Sequence, residues 1–377
     1  MDFTVSAEQD ELRQVVRAFL GRHSAEPQVR ALMATDLGYD PAVWRRMGGE
    51  LGLQGLAVPE KYGGSGFGPV ELGVVFEEAG RALLCAPLLS SAGLAASVLL
   101  ACDDEDVRAD VLPRIARGWS VATVAVTGDG SWAPVGAAAP VAEARAGAWT
   151  VTGELTCVLD GLAADVVLLV ARTPDGPGLF LVSPGAAGLG RVALPTMDQT
   201  RKQARLTLAG TPARLLAAGD AARQILGRAL TAGAAYLAAE QAGAAAAATE
   251  SAVGYAKLRV QYGRPIGSFQ GVKHKCADML VRVEAARSAA AAALWALAGG
   301  DDEEAAVAAS VAQVVCSDAL VRVACDSIQV HGGIGFTWEH PAHLYLKRAK
   351  SSELLLGTPS QHRELLAARL APLTPAT

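Results

Sequence analysis

Aromatic residues are scarce in this chain, at 5% of 377 residues, although 51% of it is hydrophobic. Alanine and glycine carry much of that fraction, which suits closely packed small-residue helices better than membrane spans. The most apolar run, residues 233–248, is interrupted by Glu240 and Gln241, so no transmembrane segment is expected. The opening MDFTVSAEQDE has no basic region ahead of an apolar core, so no secretory signal is expected. Six cysteines are scattered without a CxxC pair or a metal-type cluster. They are expected to be reduced thiols of a cytoplasmic protein without a metal site. A net charge of −5 argues against a general nucleic-acid surface, so an anionic ligand would need a local group of Arg and Lys.

What is present changes period along the chain. Up to residue 118 the pattern is helical: Ser6 opens a helix with apolar Leu12, Val15, Val16, Phe19 and Leu20 at 3.6-type spacing. Trp44, Met47 and Leu51 continue it, and further helices are predicted over 70–82, 88–101 and 104–117. The glycine-rich stretch VPEKYGGSG after Leu56 and Ala57 lacks a GK[ST] ending, so it is a turn rather than a Walker loop. From Trp119 the period becomes two, with short apolar strands beginning at Val121, Trp149, Asp165, Gly178 and Ala204. After Ala218 the chain returns to helix, broken at 263–268, at 299–302 and at 331–335. The fold class is therefore α+β. An N-terminal helical domain (1–118), a small middle β-barrel or sandwich (119–217) and a C-terminal helical bundle (218–377) follow in order. At this length two or three domains are expected.

One stretch, Tyr255–Met279, gathers Arg259, Tyr262, Arg264, Phe269, Gln270 and His274 around one corner. Pro265 interrupts the first helix, and Ser268 is placed to cap a second. Cations, a ring and an amide so arranged suit a nucleotide or pyrophosphate, although two amphipathic helices with solvated charges explain the same composition.

With the α, β, α order in view, this stretch resembles the acyl-CoA dehydrogenase family, whose RxQ[FY]GxPI…FQ…H…ADM pattern spans Arg259–Met279 here. IQVHGGIGFTWEHPAHLYLKRAK (Ile328–Lys350) is similar to the family's QxxGGxG segment and following helix. The N-terminal helix and LGLQGLAVPEKYGGSGFG at 51–68 are weaker echoes, so the resemblance covers nearly the whole chain. It implies an FAD site shared between subunits and oxidation of an acyl thioester, on CoA or a carrier protein, to the α,β-enoyl form. It also implies an electron-transfer flavoprotein or other acceptor, and a homotetramer or a heterotetramer with a paralogue. No nucleic acid or membrane partner is implied. By motif position Arg259 pairs with the pyrophosphate, and Tyr262 and Gln270 lie near the adenosine half. Gln329, Gly332 and Gly333 come from the other subunit, Thr358 touches the flavin nucleotide, and Thr127 and Ser131 keep hydroxyl or backbone contacts.

The chain departs from that pattern at the chemistry. The family's base is the Glu of a Glu-Gly-Thr segment, and here Leu356 stands there before Gly357 and Thr358. The alternative base position on the long helix falls at Gly233. The nearest carboxylate is Glu240, two turns on and alone in an apolar run, where burial would raise its pKa toward that of a general base. Its other role is a structural ion pair with an arginine of a neighbouring helix. In the middle domain, VTGDGSW at 126–132 replaces the usual Thr-Glu-Pro…Gly-Ser-Asp loop, and Cys157-Val-Leu-Asp-Gly replaces a Trp-Ile-Thr-Asn segment. Three readings follow: a dehydrogenase with a displaced base, a non-catalytic FAD-site subunit of a heterotetramer, and a relative repurposed for carrier-bound acyl groups or a heteroatom.

Overall fold

The structure, a computed structural model, describes residues 6–126, 139–145 and 147–370. Its elements in chain order begin with α1 (Ala7–His23), α2 (Glu26–Met33), α3 (Pro41–Gly49) and α4 (Pro69–Arg81). A π-helical segment, Leu88–Ala95, then runs into α5 (Ala96–Ala101), followed by α6 (Glu105–Ala116). Ser6 caps α1 as the sequence predicts, accepting from Gln9 N while the Gln9 side chain returns to the Ser6 amide. This reciprocal bond satisfies two helix-end donors.

The strands are β1 (Ala122–Ala125), β2 (Val141–Arg145), β3 (Ala148–Leu159), β4 (Val166–Thr173), β5 (Gly176–Val182), β6 (Leu189–Ala193) and β7 (Gln203–Ala218). They form one seven-stranded sheet in the order β1-β4-β2-β3-β7-β5, with β6 on β7. A further β4–β5 pairing closes the sheet into a barrel. Closure removes the exposed edges an open sheet would present. The sequence reading had no separate signal for β2 and β6, whose VAEAR and LGRVA are poor in β-branched and aromatic residues.

The last part holds α7 (Gly219–Leu258), a two-strand hairpin of β8 (Val260–Gln261) and β9 (Arg264–Pro265), α8 (Gln270–Gly299), α9 (Asp302–His331), α10 (Ala342–Ser352) and α11 (Pro359–Leu370). Ser268 does not cap α8. Its hydroxyl donates to Pro265 O at 2.7 Å, closing the 3-10 turn Ile266–Ser268, and α8 starts at Gln270 without a side-chain cap. Asp301 caps α9 by accepting from Glu303 N and Glu304 N.

Packing gathers the chain into two compact units. The first combines the residues up to Arg30, Pro69–Leu84 and the chain from Ala234; the second combines Ala31–Gly68 and Cys85–Gly233. In the first, Ala245, Ala248 and Ala252 of α7 pack with Met279 and Val283 of α8 and Leu320 and Val323 of α9. Alanine on one helix facing larger residues on its neighbours brings the axes close and fills the space between them. By length and composition α9 with its following turn, Asp302–Phe336, could cross a membrane, with a mean hydropathy of 1.5 in its most apolar window. Half of that window is buried inside the first unit, as befits the core helix of a bundle. In the second unit the π-helical segment is wholly buried beside the barrel. Ser90 donates to Asp160, and Ser91 accepts from the Ala122 amide.

Within the first unit α4 and α7 cross at contact distance through the same four-residue pattern on each helix, Glu77–Gly80 and Glu240–Gly243. A Cβ on Gly80 would lie 1.9 Å from the Glu240 carbonyl oxygen, and one on Gly243 1.8 Å from that of Glu77. Neither position admits any larger residue while the helices keep this separation.

Candidate functional site

The hairpin after α7 presents the predicted nucleotide-binding side chains. Tyr262 and Gly263 both have positive φ, +54° and +75°, forming the two-residue turn that joins β8 to β9. Right-handed strand twist favours such a turn, and here it puts a tyrosine at the tip with 92% of its surface exposed. The Tyr262 ring meets Phe269 edge-on at 6.1 Å, and the Arg264 guanidinium lies 4.1 Å above the other side of that cluster, over the Phe269 ring. Arg259 leads into β8, its carbonyl accepting from Ile266 N at 2.8 Å, and Gln270 is the first residue of α8. The structure thus brings Arg259, Tyr262, Arg264, Phe269 and Gln270 together on one exposed corner, with His274 one turn further along α8. Among the described residues the side chains of Arg259 and Gln270 have no hydrogen-bond or ion-pair partner, so their donors are available to a ligand.

At the end of α9, Gln329, Gly332 and Gly333 are exposed. Gly332 has φ +65° and ψ −143°, and a Cβ on Gly332 or Gly333 would meet nothing within 4 Å. This backbone is open to close approach by a ligand. Among the described residues no hydrogen bond connects Arg259, Tyr262 or Gln270 to Gln329, Gly332 or Gly333. The segments do meet at Tyr255, whose ring is 4.7 Å from that of His331. His331 donates through Nδ1 to Ser327 O at 2.7 Å, and burial pushes its pKa down. Thr358 forms the N-cap of α11: its amide and hydroxyl donate to Gln361 Oε1, and the hydroxyl accepts from Gln361 N. One lone pair of that hydroxyl remains for a ligand. Thr127 and Ser131 lie outside the described residues.

Leu356 occupies the position of the family's base, and it is buried. Its φ of +59° is rare for leucine, and Gly357 follows at φ +101°. His362, absent from the sequence reading, holds this turn by donating from Nε2 to the Leu356 carbonyl at 3.0 Å. The donating Nε2 leaves Nδ1 as an acceptor, and that atom is buried without a partner among the described residues. Burial lowers the His362 pKa. Gln313 Nε2 donates to the neighbouring Leu355 carbonyl at 3.1 Å. No proton acceptor stands at the side chain of residue 356 itself.

Glu240 is not the lone carboxylate that the sequence suggested. It is 5% exposed, and Arg348 of α10, itself 3% exposed, donates to Glu240 Oε1 at 2.5 Å. Arg348 also reaches the Leu84 carbonyl at 3.3 Å, and Tyr345 donates to the Arg81 carbonyl at 2.7 Å. Both α10 side chains therefore fix the C-terminal end of α4. A guanidinium beside a carboxylate favours its ionised form and opposes the raised pKa that a lone buried glutamate would have. Of the two roles open to Glu240 in the sequence, the structure supplies the partner for the structural one, an arginine 108 residues away in sequence. The one signal was a basic residue on the otherwise apolar-faced helix LYLKRAK.

A closed β-barrel set in chain order between helical segments, with an exposed hairpin and an open glycine pair, is the arrangement that the resemblance to the acyl-CoA dehydrogenases implies. The comparisons agree. The acyl-CoA dehydrogenase N-terminal domain model matches residues 6–119, and the C-terminal domain model matches residues 222–371. The acyl-CoA dehydrogenase IpdE2 of Mycolicibacterium smegmatis is 34% identical, covering 97% of this chain and 100% of that one. Among solved structures, the ChsE4–ChsE5 complex from Mycobacterium tuberculosis superposes with a TM-score of 0.89 at 29% identity, covering 100% of both chains. A variant of the Tcur3481-Tcur3483 steroid ACAD gives a TM-score of 0.87 at 31% identity, covering 98% of this chain and 99% of that one. This chain belongs to the acyl-CoA dehydrogenase family of oxidoreductases, and its cofactor is FAD.

Proposed function

We propose that this chain is the flavin-site subunit of a two-chain acyl-CoA dehydrogenase, in which a paralogue carries the catalytic base. The observation that carries this reading is Leu356, a side chain that cannot accept a proton, on a turn whose main chain is held by His362 and Gln313. The reaction removes a proton from the thioester Cα and a hydride from Cβ, and FAD supplies the hydride acceptor. The residues suited to holding FAD are Arg259, Tyr262, Gln270 and Thr358 on one side, and Gln329, Gly332 and Gly333 on the other. Arg259 offers a fixed fork of donors to a pyrophosphate, and the glycines allow close backbone approach.

The displaced-base alternative loses support because Glu240 is engaged with Arg348. An oligomer is supported by exposed apolar side chains around the same corner, with Leu258 at 82% and Phe336 at 81% exposed. Such a surface is costly to leave in water. Two of the structural relatives are named as pairs of proteins, and one of those is a steroid enzyme. A bulky polycyclic acyl-CoA is therefore the substrate class to test first, with an electron-transfer flavoprotein as acceptor and the cytoplasm as the setting.

The test is to purify the chain alone and together with a base-bearing paralogue, measuring bound FAD, mass and anaerobic flavin bleaching by acyl-CoAs. Bleaching is expected only in the two-chain assembly, and Arg259→Gln should weaken FAD retention there by about tenfold or more. A homotetramer of this chain alone, loaded with FAD and turning over acyl-CoA, would refute the proposal.

A further inference from the structure

The first unit holds a pocket of about 300 Å³, open to solvent on one side, among α1, α4, α7 and α8. Its apolar walls mix small residues, Gly73 on α4, Ala239 and Ala242 on α7 and Ala290 on α8, with the larger Val70, Leu294 and Trp295. Ala239 and Ala242 lie about 240° and about 180° around α7 from Gly233, counting ~100° per residue. The cavity therefore faces away from the side of α7 where the family's alternative base would stand.

Its charged lining is lopsided, with Arg13, Arg17 and Arg287 against one carboxylate, Glu77, and Gln9 is the neutral polar residue beside them. Among the described residues Arg13 donates through Nη1 alone, to Glu77 at 2.5 Å and Glu78 at 3.5 Å. Arg17 grips Glu78 with both Nε and Nη2, at 2.8 and 2.7 Å. Arg287 donates through Nη1 to Glu284 at 2.9 Å, and its Nε stands 3.6 Å from Glu77. Both Glu77 oxygens thus already face a guanidinium. Among the described residues, what is left over is donor capacity: Nε and Nη2 of Arg13, Nη1 of Arg17 and Nη2 of Arg287. An apolar cavity rimmed by unengaged guanidinium donors matches an amphipathic anion. About 300 Å³ is at the small end of ligand pockets, too small to enclose a nucleotide-bearing thioester.

We propose that this cavity binds a medium-chain carboxylate, its alkyl tail among Gly73, Ala239, Ala242 and Ala290 and its head on Arg13 and Arg287. The site is separate from acyl-thioester chemistry and stands independently of the two-chain reading above. A free acid bound there bridges all four helices, α1, α4, α7 and α8, and favours the folded state by mass action.

Calorimetry on the FAD-loaded protein, in the assembly in which it purifies, tests this with octanoate, octanol and acetate. The flavin absorption spectrum is followed in parallel. Octanoate is expected to bind with no change in the flavin spectrum. Octanol, with the same tail and no charge, should bind about tenfold more weakly or worse, and acetate should not bind measurably. Ala290→Leu fills the cavity and should abolish octanoate binding while FAD is retained. Arg287→Gln leaves the walls intact, so it still decides the matter if the filled variant fails to fold. It should weaken octanoate by about tenfold and leave octanol unchanged. The proposal is overturned if octanol matches octanoate, if either variant binds octanoate as the parent does, or if the flavin spectrum shifts in step with binding.

Discussion

Replacing Glu240 by glutamine separates a structural carboxylate from a catalytic one. In the folded chain the substitution leaves Arg348 with its positive charge 3% exposed. It keeps the contact with the Leu84 carbonyl at 3.3 Å, a neutral acceptor that does not replace the carboxylate's charge. Removing one partner of a buried ion pair costs about 3–5 kcal/mol, chiefly because the surviving charge is stranded. With an unfolding entropy of about 2.1 cal/mol/K per residue over 377 residues, that corresponds to a Tm lower by about 4–6 °C. Urea unfolding of Glu240→Gln, with flavin content and anaerobic bleaching measured on the same preparation, provides the assay. The double variant Glu240→Leu with Arg348→Met should recover most of the loss, because it removes both charges and keeps side-chain volume. If Glu240→Gln keeps its stability and FAD but loses flavin reduction by about 10²–10⁴-fold, Glu240 is the base and the structural reading fails.

Two other perturbations follow from the same unit. Burial depresses the pKa values of His331, His340, His343 and His362 below their ordinary 6.5. The unfolded chain therefore takes up these protons first, so stability is full above about pH 6.5 and falls as pH drops through the lower folded values. Urea midpoints should decline from about pH 7 toward about pH 5, less steeply in His362→Gln; a flat midpoint in that range contradicts the assignment. At the α4–α7 crossing, Gly243→Ala should cost about 1–3 kcal/mol or more, since its Cβ meets a carbonyl rather than a flexible side chain. Gly227→Ala, on the same helix and facing open space, should instead gain up to about 1 kcal/mol. Equal effects at the two sites in thermal melts would mean that the crossing is looser than described.

Local signals were legible where they were strong. The Ser6 capping box, α4 at Pro69–Arg81 against the predicted 70–82, and the change to strand period near Trp119 all rest on short-range patterns. In β7 the period of two is clear from Ala204 to Leu208 and is then interrupted by Gly210 and Pro212. In the structure the strand runs on to Ala218, with Pro212 opposite Thr150 of β3. Pro212 lacks only one ladder donor, and the long partners β3 and β5 carry the strand past it. Ser268 had the right chemistry for a cap, but its hydroxyl found a nearer acceptor in Pro265. The nucleotide corner was legible because its residues lie within one stretch of chain. Arg348 was not, since the choice of partner for a buried carboxylate depends on which helices pack together.

The left-handed backbone at Leu356 has a consequence for how such a chain could arise. A leucine at φ +59° carries strain of roughly 1–3 kcal/mol, which persists only when its surroundings over-determine the conformation. Those surroundings are the His362 hydrogen bond to the Leu356 carbonyl, the Gln313 bond to Leu355, and the Thr358 cap immediately downstream. All three hold main chain, and none depends on which side chain residue 356 carries. A duplicated gene could therefore lose the carboxylate at this position without dismantling the loop, leaving a copy that folds, assembles and depends on its sibling for the chemistry. The same independence holds in the other direction: installing glutamate at Leu356 changes one side chain and none of these main-chain bonds.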